Sequence, residues 1–214
     1  RYDIAYPISK LSQYSAKPTR GARIALDRVL SYLRCNTEFY IKGTFAPKQD
    51  ITNYYSDSDH GGNMPYTSHS HTGINLLLNS VPIVWKSKKQ PKTSRSSAEA
   101  EIYALDLAVS VGKYTNWKRE ELGKKVAWPM IVNVDNNQAK SFTENLNVNS
   151  KMRTTFNMKE SWIHELRDKN IVKIQHIDTN KNPADIHTKP HTAGKFKTLL
   201  GMCNPIKILE CVTL

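Results

Sequence analysis

Two apolar runs, Thr72–Leu78 and Val81–Trp85, are separated only by the dipeptide Asn79-Ser80. Two residues are too few for a crossover connection, so if both runs are strands they must pair antiparallel, as a hairpin. Any sheet containing them therefore cannot be wholly parallel. Another strand reads over Ile51–Asp57 ahead of the hairpin, and two more over Met130–Val134 and Ile171–Ile177 behind it. Between and after these lie helical patterns: a strong helix over Ser97–Lys113, a shorter one through Trp117 to Leu122, segments near Gln138–Glu144 and Thr155–Lys169, and a last helix opened by Pro183. Antiparallel strands followed by alternating helices and strands predict an α/β domain with a five-stranded mixed sheet flanked by helices.

The N-terminal stretch has a different texture. Pro7 suits the first turn of a helix carrying Ile8, Leu11 and Tyr14, and a second helix from Thr19 places Ile24, Ala25, Val29, Leu30 and Leu33 at helical spacing. A polar stretch from Gly43 to Asp50, with Pro47, reads as a linker. The expected division is a helical segment at 1–43, a linker at 44–50, the mixed-sheet domain at 51–190 and a C-terminal tail at 191–214. The chain opens without Met on a helix-like pattern, as a piece of a longer polypeptide would.

Charge narrows the partner. With 31 Lys and Arg against 19 Asp and Glu, the net charge is +12, which favours a polyanion such as nucleic acid; solubility alone is the competing reading. No apolar run approaches the ~20 residues of a membrane helix, so no membrane partner is expected. Cys35, Cys203 and Cys211 are odd in number and form no C-x-x-C pair, which argues against a disulfide framework and structural zinc and fits a reducing compartment. His69 and His71 read as polar loop histidines.

Four acids stand where separate elements can converge: Asp57 at the end of the first strand, Glu101 early in the long helix, Asp135 closing the fourth strand, and Asp185 early in the final helix. Converging carboxylates repel one another and need a cation between them, and hard divalent ions such as Mg²⁺ prefer oxygen ligands. Ser96-Ser97-Ala98-Glu99 fits a capping box, which gives Glu99 a structural task. Glu101, two residues on, shares a face with Ala104, Leu105 and Ala108, where a carboxylate is costly without a partner. Each acid taken alone also has an ordinary reading, as a turn acid, a helix cap or a helix-start charge.

Five blocks, in this order, resemble the ribonuclease H domain of copia-type LTR retrotransposon reverse transcriptases: Tyr55-Ser56-Asp57-Ser58-Asp59; Ile83-Val84-Trp85-Lys86-Ser87-Lys88-Lys89-Gln90-Pro91; Ser96-Ser97-Ala98-Glu99-Ala100-Glu101 with Tyr103-Ala104-Leu105; Val134-Asp135-Asn136-Asn137-Gln138-Ala139; and Ala184-Asp185-Ile186-His187-Thr188-Lys189-Pro190. Asp3-Ile4-Ala5-Tyr6, Leu11-Ser12 and Arg28-Val29-Leu30-Ser31-Tyr32-Leu33-Arg34 resemble the connection that joins polymerase to ribonuclease H. The resemblance implies a ribonuclease H-like fold at 51–190 and endonucleolytic cleavage of the RNA strand of RNA–DNA hybrids with two Mg²⁺ ions, Mn²⁺ being an alternative. Asp57 would bridge both ions, Glu101 and Asp135 would hold the one beside the leaving oxygen, and Asp185 would hold the one that activates water. It further implies the polymerase portion of the same polyprotein as partner, and a cytoplasmic, virus-like-particle setting, with the nucleus as the alternative.

Departures from the pattern are local. Where the family often has D-W-A-G-D, this chain has Asp59-His60-Gly61-Gly62-Asn63, and no histidine stands in the loop Thr179–Pro183 where many ribonucleases H carry a mobile one. His176 is the nearest candidate for that role, and His187 is expected to face solvent. Lys86, Lys88, Lys89, Lys92 and Arg95 crowd a basic loop leading into the Glu101 helix and are candidate phosphate contacts, while Ser96 and Asn137 are candidates for hydrogen bonds to the backbone or the 2′-OH. The alternative is a catalytically inactive or repurposed nucleic-acid-binding domain.

Overall fold

The hairpin set by Asn79-Ser80 is formed, with φ of 50° and 65° at the two residues, the mirror-image turn whose twist matches paired strands. The computed structural model describes residues 1–41, 51–62, 68–137 and 156–203, with only the backbone of Phe156, Asn157 and Glu160. The expected linker at 44–50, the helical segment near Gln138–Glu144, and Cys211 lie outside the described residues.

Five strands, β1 (Thr52–Asp59), β2 (His71–Leu78), β3 (Val81–Lys89), β4 (Met130–Val134) and β5 (Val172–His176), form one sheet in the order β3-β2-β1-β4-β5. Pairs β1–β2 and β2–β3 are antiparallel, while β1–β4 and β4–β5 are parallel. The helices are α1 (Ala5–Ser12), α2 (Arg20–Cys35), α3 (Ser97–Glu121), α4 (Phe156–Asp168) and α5 (Ala193–Met202). The five-stranded mixed sheet flanked by helices is thus the architecture observed.

Four local expectations are corrected. Strand β3 runs on through Lys89, which pairs with His71, so Lys86, Lys88 and Lys89 belong to a strand and not to a loop. On this edge strand, ladder hydrogen bonds continue irrespective of side-chain charge, because the lysines can reach water. Helix α3 is a single element of 25 residues, where a break after Lys113 is expected. Its distal half is held down from the sheet: the Tyr54 hydroxyl donates to Asn116 Oδ1, and Arg119 Nη1 donates to Thr52 Oγ1 at 2.7 Å. Pro183 opens a short 3-10 turn, Pro183–His187, and not a helix. His71 lies in β2 and is fully buried, while His69 precedes the strand.

The two-residue strand period sends alternate side chains to opposite faces. On one face Tyr54, Ile74, Leu76, Met130, Val132, Val134, Val172 and Ile174 pack against Leu105, Ala108 and Val109 of α3 and Ile163 and Leu166 of α4. On the other, Tyr2, Leu77, Ile186, Leu199, Leu200 and Cys203 form a second cluster, with Tyr55 and Trp85 against it. Tyr2 is fully buried there, its ring meeting Phe39 and Trp85 edge-on, so the N-terminal segment shares a core with the sheet. Residues 193–202, within the stretch read as a tail, form α5 and bury Leu199 and Leu200 in the same cluster.

Candidate active site

The C-terminal ends of β1 and β4 are neighbours because the two strands run parallel, so Asp57 and Asp135 come close without any special turn. Helix α3 brings the third acid. Ser96 caps it, its hydroxyl accepting from Glu99 N–H at 3.1 Å, and the Glu99 carboxylate reaches back to Arg95 N–H at 2.6 Å. The start of α3 is tied to the sheet by Gln90, whose Nε2 donates to Thr72 Oγ1 at 3.0 Å and to Ala100 O at 2.9 Å. Ser94 Oγ completes the clamp by donating to Gln90 Oε1 at 2.7 Å. Glu101 follows directly and turns inward.

Asp57, Glu101 and Asp135 each offer a carboxylate oxygen, and these atoms all lie within 4.8 Å of one another. Asp57 and Glu101 are buried and Asp135 is half-buried. Burial, followed by the neighbouring Asp135, pushes the Asp57 carboxyl up to about 7. Burial, followed by the charges of Asp57 and Asp135, pushes Glu101 well above the usual range. One Glu101 oxygen accepts from Ser58 N–H at 3.3 Å, while the other has no hydrogen-bond partner among the described residues. An orphaned, buried carboxylate oxygen facing two more carboxylates is costly unless a cation is supplied. These oxygen donors fit a divalent ion of the hard class.

The fourth acid is placed by a separate device. Asn182 caps the Pro183–His187 turn, accepting from Ala184 N–H at 3.2 Å, while its Nδ2 donates to Ser56 O at 2.9 Å. The turn can come this close because Gly73 lies opposite Asp57 on β2. A Cβ there would stand 2.5 Å from Ala184 O and 2.9 Å from His187 Cβ. Thr188 then links the acids, its hydroxyl 2.6 Å from Asp57 Oδ2, 3.0 Å from Asp185 O and 3.5 Å from Asp185 Oδ1. Asp185 itself is not in the three-acid cluster. Its buried carboxylate meets Lys189 Nζ at 2.7 Å and Lys195 Nζ at 2.6 Å. Burial alone would raise it, but the two lysines outweigh that and hold the carboxyl below its ordinary value.

His187, expected to face solvent, is fully buried, with burial lowering its imidazole to about 3. The close approach at Gly73 encloses it. His176 Nε2 lies 3.2 Å from Asp135 O, beside the acids. Lys86, Lys88, Lys92, Arg95 and Asn137 are exposed, and Lys89 and Ser96 half-buried, so the basic positions flank the start of α3. Sequence reasoning assigned no role to Gln90, Thr188, Lys189, His191 or Lys195. Gln90 stands in a block whose evident signal is its lysines, and Thr188 and Lys189 in one whose evident signal is Asp185. His191, whose Nε2 is 2.9 Å from Asp185 O, and Lys195 follow those motifs and carry no local signal.

No protein-family model matches the chain. It is 30% identical over 211 residues to the retrovirus-related Pol polyprotein from transposon RE2 of Arabidopsis thaliana, an alignment covering 97% of this chain and 14% of that protein. It is also 30% identical over 208 residues to the Pol polyprotein from transposon TNT 1-94 of Nicotiana tabacum, covering 94% of this chain and 15% of that protein. Among solved structures it is similar to LC11-RNase H1 isolated from compost, with a TM-score of 0.49 and 16% identity over 65% of this chain and 94% of that one. The chain spans only a small part of the polyproteins it matches, yet nearly all of it aligns with them, and it is similar over almost its whole length to retrovirus-related Pol polyproteins of transposons.

Proposed function

We propose that this chain is the ribonuclease H segment of a copia-type reverse transcriptase, hydrolysing the RNA strand of RNA–DNA hybrids with two divalent ions, Mg²⁺ or alternatively Mn²⁺. The observation that carries the reading is the convergence of Asp57, Glu101 and Asp135 within 4.8 Å, with one Glu101 oxygen lacking a hydrogen-bond partner among the described residues. When bound, such ions supply a water of lowered pKa and neutralise the charge that develops on the phosphate and the leaving oxygen. Asp57, Glu101, Asp135 and Asp185 are the residues that would hold them. Thr188 fixes the rotamer of Asp57 through its hydroxyl, and Gln90 fixes the helix that carries Glu101.

Lys86, Lys88, Lys89, Lys92 and Arg95 would meet hybrid phosphates, and Ser96 and Asn137 would contact the sugar-phosphate backbone or the 2′-OH. Contacts of this kind position a duplex and carry little base information, so cleavage is expected to be weakly sequence-specific. Residues 1–43 are the connection to the polymerase portion, the remaining partner, and the setting is the virus-like particle. No helix among the described residues is long and apolar enough to cross a membrane.

The pairing of Asp185 with two lysines favours a second reading, a domain that grips a hybrid without cutting it. A labelled RNA–DNA hybrid incubated with Mg²⁺ and either the native chain or Asp135→Asn separates the two. Cutting by the native chain alone supports the nuclease. Binding by both with cutting by neither overturns it in favour of the grip.

A further inference from the structure

Among the four acids, Asp185 already has full cationic partners. Two ammonium groups stand 2.7 Å and 2.6 Å from its two carboxylate oxygens, and the carboxylate is completely buried. The lysines that provide them are themselves 36% and 33% exposed at the side chain, so each has a route to water along a flexible stem. They come from different elements: Lys189 from just after the Pro183–His187 turn, Lys195 from the first turn of α5. Two elements thus place a positive charge on one oxygen pair beside a cluster of carboxylates.

We propose that Lys189 and Lys195 act as tethered stand-ins for a metal ion, neutralising Asp185 while the site is ion-free and giving it up when a divalent ion arrives. The inference rests on the reading of the four acids as metal ligands. A divalent ion approaching Asp185 with both lysines in place would meet like charge at close range, where little water intervenes to screen it. Simultaneous occupancy is therefore disfavoured, and ion binding must displace at least one ammonium. The affinity of the Asp185 site is set by that competition. A displaced ammonium, still tethered beside the site, is free to meet a phosphate of the hybrid. The lysines are positioning residues, and they answer the observation that favoured the non-cutting reading: Asp185 is held in reserve, not lost.

The test is calorimetric titration of the whole chain with Mn²⁺ alone, without substrate. Lys195→Met and Lys189→Met keep the stem and remove the charge, and each is expected to bind Mn²⁺ roughly tenfold more tightly than the native chain. Lys195→Arg should keep near-native affinity. Because Lys→Met leaves a buried carboxylate without its counter-charge and can impair folding, the same substitutions are repeated in Asp185→Asn, which carries no such charge. There the lysine substitutions should change nothing. Native-like affinity in Lys195→Met and Lys189→Met, or an equal gain in the Asp185→Asn background, overturns the inference while the functional reading stands. Absence of Mn²⁺ binding by a folded native chain overturns both.

Discussion

The two faces of the sheet solve different problems. The face covered by α3 and α4 is mainly aliphatic: Ile74, Leu76, Leu105, Val109, Val132, Val134 and Ile163 bury together, with the Tyr54–Asn116 hydrogen bond as a polar contact toward the far end of α3. The opposite face, under α1, α5 and the Pro183–His187 turn, buries His71, Asn75, Asn182, Asp185, His187 and Thr188 beside a smaller apolar cluster. Both ring nitrogens of His187 and Nδ1 of His71 lack hydrogen-bond partners among the described residues. Apolar burial stabilises the first face, whereas the second gives up some of that stabilisation to hold chemistry-bearing groups at fixed positions. Stability and activity should therefore be separable by face.

The largest effect is expected at the site. Asp57→Asn should lower hybrid cleavage on the order of a thousandfold or more, since metal-held transition-state charge is worth several kcal/mol. The same substitution removes a carboxylate that burial and Asp135 already disfavour, so the chain should melt at a higher temperature in the presence of a chelator. A lower melting temperature there would contradict the repulsion inferred for the cluster. On the aliphatic face, Leu105→Ala should cost about 2 to 5 kcal/mol in denaturant unfolding and leave the cleavage rate of the folded protein nearly unchanged. A parallel collapse of both quantities would show that the faces are coupled.

Acidity offers a sharper probe of the polar face. Burial holds His71 at about 4, below its usual 6.5, so the unfolded chain binds the proton more readily than the folded one. The neutral imidazole's contribution is complete above pH 6.5 and is lost as pH falls toward 4. The stability difference between the native chain and His71→Gln should therefore shrink by about 2 kcal/mol between pH 7 and pH 5. A constant difference would mean that the ring is hydrated or paired with an acid in solution.

Two glycines give the finest comparison. A Cβ at Gly73 would meet the backbone oxygen of Ala184, which cannot move aside cheaply, whereas one at Gly112 would meet the end of the Met130 side chain and the Tyr54 ring. Both Ala substitutions should cost about 1 to 3 kcal/mol. Only Gly73→Ala should also depress cleavage, by displacing the turn that carries Asp185. Loss of cleavage in both, measured at equal folded fraction, would erase the distinction.

Much was legible in the chain itself. A two-residue link between apolar runs forces a hairpin, period-2 and period-3.6 patterns order the elements, and Ser96 with Glu99 marks the start of α3 because caps are local hydrogen bonds. Asp57, Glu101 and Asp135 could be picked out because strand ends and helix starts are sequence features. What only the tertiary structure decided involves partners distant along the chain. Thr188 reaches Asp57 across 131 residues, and Asn182 reaches Ser56 across 126. No local propensity encodes such pairs. The continuity of α3 past Lys113 depends on Tyr54 and Thr52, the burial of His187 on the missing side chain at Gly73, and the charge state of Asp185 on two lysines from separate elements. Periodicity tells which way a side chain points, but the packing of other elements against that side decides what it meets, and through burial and nearby charge, how it ionises.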